Sequence, residues 1–158
     1  MAASKKRLRG STVAVNRRAG YDYELLDRYD AGIELVGTEI KSIREGNMSL
    51  AEGYARFKDG ELWLYDVHIA GYAPARENHE PRRPRRLLLH RRELDRMQRE
   101  LGQQPRTTVI PLRMYLYNGL AKVEIALARG RRSWDRRQAI AQRDANRAIQ
   151  RGMRQEQR

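Results

Sequence analysis

Three histidines stand at even spacing, His68, His79 and His90. A metal centre needs such donors to converge, as an HExxH pair does by putting two rings on one helix face. Here the three fall on an expected strand, in a proline-flanked loop and at an expected helix start, so they share no face. The chain contains no Cys, which removes thiolate zinc sites, cysteine-held iron–sulfur clusters, disulfides and cysteine nucleophiles. It has no GxxxxGK[ST] phosphate loop, no GxSxG elbow and no GxGxxG turn. Asp27 and Asp30 are near enough in sequence for acid–base work, but the same pair fits a solvated hairpin face. No catalytic residue, metal ligand or cofactor is expected, and the chain does not read as an enzyme.

The chemistry the residues do support is binding of a polyanion. The sequence holds 33 Lys+Arg against 20 Asp+Glu, a net charge of +13, and the excess is not spread evenly. Residues 1–18 carry +6, residues 76–92 carry +5 and residues 130–158 carry +6, whereas residues 19–75 carry −6. Clustered cations on a small chain gain affinity from counterions released at each phosphate contact. Arginine dominates outside the first few residues, and its planar fork suits bidentate phosphate contacts and base stacking. No basic segment has the large apolar face that an anionic membrane would require, so nucleic acid is the expected partner. Aromatic groups interleave with the cations: Tyr21 and Tyr23 follow Arg17 and Arg18, and Tyr115 and Tyr117 lie near Arg113 and Lys122. Stacked bases are worth about 1–3 kcal/mol each on such platforms, although tyrosines also simply fill sheet positions. Trp134 stands among Arg131, Arg132, Arg136 and Arg137 where no core is in prospect, and reads as a stacking group.

The elements that must position these residues follow from pattern. Residues 13–36 read largely as strand, with Tyr21, Tyr23 and Leu25 alternating and Asp30-Ala31-Gly32 as a turn. From Thr38 to Gly46 the spacing predicts a short helix, Thr38 capping it and Gly46 supplying the left-handed stop. Asp59-Gly60 and Asn118-Gly119 each sit between alternating runs and predict type I′ hairpins. In the second hairpin Leu112, Met114 and Leu116 are expected on one face, as are Ala121, Val123, Ile125 and Leu127, with Arg113, Tyr115, Tyr117, Lys122 and Glu124 at the alternate positions. Residues 74–86, with three prolines and many arginines, read as a basic loop. Leu94, Met97 and Leu101 form a helical stripe over residues 90–101.

Short strands, tight hairpins and two short helices point to a mainly β fold, an OB-like antiparallel β-barrel whose closure removes its edges. A flat sheet with helices on one face is the alternative. Residues 1–15 are expected as a flexible basic arm, 16–129 as the RNA-binding barrel, and 130–158 as a basic tail. The tail is rich in Arg, Gln and Ala but poor in large apolar residues. Those few cannot offset roughly 1–2 kcal/mol of backbone entropy per residue, so it is expected to be disordered when free and helical against an acidic partner. No apolar run approaches a membrane span, and no apolar stretch follows the basic start, so a cytoplasmic protein is expected.

An ordered series of segments resembles one family. Asn16-Arg17-Arg18-Ala19 before a strand, the run GTEIKSIREG from Gly37 to Gly46, Asp59-Gly60, the run RLLLHRREL from Arg86 to Leu94, and Ala128-Arg129-Gly130-Arg131-Arg132 leading to Asp135-Arg136-Arg137 are similar to the small protein B (SmpB) family of SsrA-binding proteins. Members of that family partner bacterial transfer-messenger RNA. The resemblance implies an OB-like barrel that binds the tRNA-like part of that RNA, with contacts at Asn16, Arg17, Arg18, Asp30, Lys41, Arg44, Leu88, His90 and Lys122. It further implies a monomer that supports aminoacylation by alanyl-tRNA synthetase and delivery with elongation factor Tu. The tail, through Gly130, Arg131, Arg132, Trp134, Asp135, Arg136 and Arg137, would meet small-subunit RNA at the decoding centre of a stalled ribosome and enter its vacant mRNA channel. Asp30 stands where some relatives have Glu, Glu124 where some carry a basic residue, and Arg143-Asp144-Ala145 where some place a Trp. A ribosomal or generic single-stranded-RNA-binding OB protein is the competing reading.

Overall fold

Two sharp turns with left-handed backbone organise the chain. Asp59 (φ 52°) with Gly60 (φ 77°), and Asn118 (φ 49°) with Gly119 (φ 77°), adopt the paired positive angles of type I′ turns. They join β4 (Tyr54–Lys58) to β5 (Glu61–Tyr65) and β8 (Thr107–Tyr117) to β9 (Leu120–Gly130), the two hairpins expected from sequence. The computed structural model describes residues 10–131 and 133–156, so most of the expected arm lies outside the described residues. Within residues 1–15 the chain is already folded by Ser11, where β1 (Ser11–Val15) begins.

The remaining elements are α1 (Ala19–Asp22), β2 (Tyr23–Ile33), α2 (Gly37–Arg44), β3 (Met48–Ser49), β6 (His68–Ile69), β7 (Arg85–Leu88), α3 (Arg91–Gln103) and α4 (Ser133–Glu156). All pairings are antiparallel. Six strands form a circuit, β8–β4–β5–β7–β2–β9 and back to β8, while β1 adds to the outer edge of β8. A separate two-stranded pair joins β3 to β6. The fold is mainly β, with helices at the margins.

Inside the circuit lies the main core. Ala31, Leu62, Leu64, Leu87, Met114, Val123 and Ile125 are fully or almost fully buried there, with Ile43 of α2 and Leu94 and Met97 of α3 packed on it. A smaller cluster sits outside: Ala19 of α1 covers Ile110, Leu112, Ala126 and Ala128. The middle of the β8–β9 hairpin is thus buried on both faces. Its simple alternation fails for a second reason as well, an irregularity in the β8–β9 register between Pro111 and Arg113. An extra residue at such a bulge turns the following side chains to the opposite face, so Leu112 joins the outer cluster while Met114 enters the core.

Two other expectations are corrected. Asp30-Ala31-Gly32 is not a turn, because β2 runs through it and pairs with β9 and β7. Ala31 is fully buried, and a Cβ added to Gly32 would come 3.2 Å from the Leu88 Cβ, so the small residues permit close strand approach. Tyr21 is not on a strand, since α1 takes one helical turn before β2 starts at Tyr23.

Within the segment expected as a basic tail, residues 133–156 form a single helix of 24 residues. Its stabilisation is local: Ala, Arg and Gln favour helix, the Gln142 amide bonds Asn146 at 3.2 Å, and the Arg143 guanidinium lies over the Tyr21 ring of α1. Ile140, Ile149 and Met153 stay exposed. Among the described residues no helix is long and apolar enough to cross a membrane.

Candidate nucleic-acid interface

Gly32 is the level at which three strands meet. It pairs with Leu88 of β7 on one side and with Lys122 of β9 on the other. Around that point opens a groove of about 910 Å³, lined by Asp30, Arg44, Leu88, His90 and Lys122 together with Ile40 and the β8–β9 tip. Five of the nine expected RNA contacts therefore share one cavity. Leu88 and Leu120 are exposed there, at 47% and 63%, an apolar surface in the same groove as the Arg44 and Lys122 cations. Cations can take phosphates while apolar side chains and the His90 ring take bases.

Each wall is held by its own local chemistry. His90 caps α3, its backbone N–H donating to Glu93 Oε1 at 3.2 Å, in the reciprocal arrangement that fixes a helix start. Asp30 accepts a hydrogen bond from the Tyr115 hydroxyl at 3.1 Å. Burial first, and the Asp30 charge and hydrogen bond next, push the Tyr115 phenol up to about 12. Tyr115 is thus a buried support for Asp30, with the Arg113 guanidinium 4.6 Å above its ring, and not a free stacking platform. Glu124 lies opposite Asp30 and draws Arg28 to 3.3 Å and Arg113 to 3.8 Å. Two arginines thereby balance two neighbouring carboxylates on the β2–β9–β8 surface.

The residues that sequence reasoning missed are Glu39, Arg83 and Arg85. Glu39 and Arg85 have no exposed side-chain surface. Glu39 accepts from the Val36 backbone N–H at 2.9 Å, from Arg83 at 2.5 Å and from Arg85 Nε. Arg85 spends its other donors on the carbonyls of Val67 (2.8 Å) and Pro81 (3.1 Å). Burial would raise the Glu39 carboxyl, but hydrogen bonds from Arg83, the Val36 amide and Arg85 hold it below its ordinary value. Burial also lowers Arg85, with Glu39 opposing. This clasp ties the basic loop and β7 to the start of α2, so it fixes Leu88 relative to Arg44. The capping role that Thr38 was expected to play falls to Glu39, and Thr38 instead bonds His79 Nδ1 at 2.9 Å while His79 Nε2 meets the Ile69 carbonyl at 2.8 Å. A glutamate three residues into a helix is a visible cap signal; its burial against arginines from a loop 44 and 46 residues away is not.

The other expected contacts lie elsewhere. Lys41 sits over the Tyr72 ring, 5.4 Å from its centroid. The Asn16 side-chain amide donates to the Pro111 carbonyl at 3.1 Å and its backbone N–H to Leu112, so Asn16 fastens β1 to β8. Arg18 is drawn to Asp22 at 3.9 Å, and Arg17 faces α4 across a second cleft. Gly130 ends β9 opposite Tyr23, and the Arg131 N–H donates to the Asp22 carbonyl at 3.0 Å. Arg137 is exposed on α4. Arg132 and the side chains of Trp134, Asp135 and Arg136 lie outside the described residues.

With this geometry in view, a family model described as "SmpB protein" matches residues 13–155. The chain belongs to the SmpB family. Its relatives include an SsrA-binding protein of Thermobifida fusca, 51% identical over 161 residues that cover 98% of each chain. Another, from Acidothermus cellulolyticus, is 53% identical over 144 residues and 89% of each chain. Among solved structures, a chain from "tmRNA-SmpB: a journey to the center of the bacterial ribosome" aligns with a TM-score of 0.64 and 44% identity, covering 80% of this chain and 92% of that one. SmpB membership extends over both the strand circuit and most of α4.

Proposed function

We propose that this protein binds the tRNA-like domain of transfer-messenger RNA and serves trans-translation, without catalysing a reaction itself. The observation that carries the proposal is the groove in which Asp30, Arg44, Leu88, His90 and Lys122 converge. In this reading the strand circuit is an OB-like barrel. Arg44 and Lys122 bond backbone phosphates, Leu88 and the His90 ring contact bases, and the supported Asp30 carboxylate accepts from a base-edge amine. Lys41, Arg17 and Arg18 extend the phosphate track beyond the groove, and Asn16 positions them.

The same reading gives α4 the second half of the task. On a stalled ribosome the helix enters the vacant mRNA channel, with residues 130–137, Trp134 among them, against small-subunit RNA at the decoding centre. The RNA complex is charged by alanyl-tRNA synthetase and delivered with elongation factor Tu, in the cytoplasm, with the protein acting as a monomer.

Titration of the tRNA-like RNA into wild type and an Arg44→Ala/Lys122→Ala variant tests the groove. Each phosphate contact removed lowers the salt slope by about 1, so the pair loses about 2. Unchanged affinity and slope in the double variant would overturn the assignment of recognition to this groove.

A further inference from the structure

A second cleft, of about 670 Å³, separates α1 from α4, and four guanidinium side chains line it. Arg17 and Arg131 belong to the body; Arg143 and Arg147 project from the helix. The remaining lining groups are amides, one glycine and the Tyr21 ring, with no carboxylate among them. Arg18, which Asp22 partly neutralises, is not part of it. The Arg131 Nε is buried and has no hydrogen-bond partner among the described residues. Arg143 is seated by Tyr21, its guanidinium carbon 4.5 Å from the ring centroid.

The orientation of α4 is the unusual feature. A helix that docks for burial turns its apolar stripe inward. Here, at 100° per residue, Arg143, Asn146, Arg147 and Gln150 form the inward face. Gln142 lines the edge of that face, and Ile149 beside it stays more than half exposed. The helix therefore brings positive charge up to positive charge. Such an arrangement repels itself unless a negative group stands between, and guanidinium forks pair bidentately with phosphate oxygens. The cleft amides can pair with base edges that only an unpaired strand displays.

We propose that the α1–α4 cleft is a second RNA site that clamps the phosphodiester backbone of an unpaired strand between Arg17 and Arg131 on one side and Arg143 and Arg147 on the other. Tyr21 holds Arg143 in place. The cleft is separate from the groove; Arg17 and Arg131 also figure in the function proposed above, so the Arg143 and Arg147 pair carries the test that distinguishes the two readings.

The test is a titration of full-length protein with a short oligouridylate at two salt concentrations. An Arg143→Ala/Arg147→Ala variant is compared with Arg151→Ala/Arg154→Ala, which removes equal charge from the same helix outside the cleft. The cleft pair should weaken binding about tenfold and lower the salt slope by about 2, and the control pair should do markedly less. Far-ultraviolet circular dichroism of both variants checks that α4 persists. A mutant cycle between Arg17→Ala and Arg143→Ala should be non-additive, because both grip one strand. Equal losses from the two helix pairs, or simple additivity across the cleft, would overturn the clamp and leave diffuse charge attraction. Folded tRNA-like RNA titrated in parallel reports the groove separately.

Discussion

The strand circuit and α4 hold positive charge in opposite ways. In the circuit charged groups are tied to one another: Glu39 and Arg85 are fully buried together, Glu124 faces two arginines, and Asp30 rests on Tyr115. On α4 the arginines sit on a helix where Ile140, Ile149 and Met153 are about half exposed, and the Tyr21 ring of α1 meets Arg143. A frame of the first kind holds a fixed constellation that can recognise one RNA shape. A helix of the second kind keeps little tertiary energy and can reorient when a new anionic surface is offered. The proposed function assigns recognition to the first part and contact with the ribosome to the second.

The largest break in this contrast comes from the clasp. Arg85→Ala leaves the Glu39 carboxylate buried without its fully buried partner and should cost about 3–5 kcal/mol, measured by urea unfolding. The same pair gives the circuit a pH dependence. Because the folded Glu39 lies below its ordinary 4.5, its contribution is present above that value and lost as pH falls through the lower folded one. Next in size, Ile125→Ala opens a cavity in the main core and should cost about 2–5 kcal/mol. Ile149→Ala on α4 should stay within about 0.5 kcal/mol in the same assay; comparable losses at the two sites would erase the distinction between the regions.

A smaller effect appears at high pH. Tyr115 ionises near 10 when unfolded and near 12 when folded, so its contribution is complete below pH 10 and disappears as pH rises through about 12. Tyr115→Phe should flatten the stability curve across that window; an unaltered slope would mean that Asp30 is not braced by this phenol.

How much of this was legible in the sequence depended on how local the cause was. Asp59-Gly60 and Asn118-Gly119 announce their turns because the left-handed angles are a property of those residues. The stripes at Ile40–Ile43 and Leu94–Met97 announce α2 and α3 for the same reason. Asp30-Ala31-Gly32 carries turn residues, yet strand pairing on both sides keeps it extended. The bulge near Leu112 and the cover of Ala19 over Ala126 arise from packing between distant segments, which no local pattern reports. Five groove residues were named from resemblance and converge in one cavity; Asn16 also fastens β1 to β8, and Tyr115 braces Asp30. Arg85 looked like one more loop cation, because the partner that buries it lies 46 residues earlier. Helix over residues 133–156 agrees with the local preference of Ala, Arg and Gln.

The most direct test compares full-length protein with a chain ending at Gly130 in binding the tRNA-like domain, with elongator tRNA as competitor at two salt concentrations. Tight, selective binding by both chains is the predicted result, since recognition belongs to the braced groove. Loss of affinity or of selectivity on truncation would contradict it and assign recognition to the charge on α4.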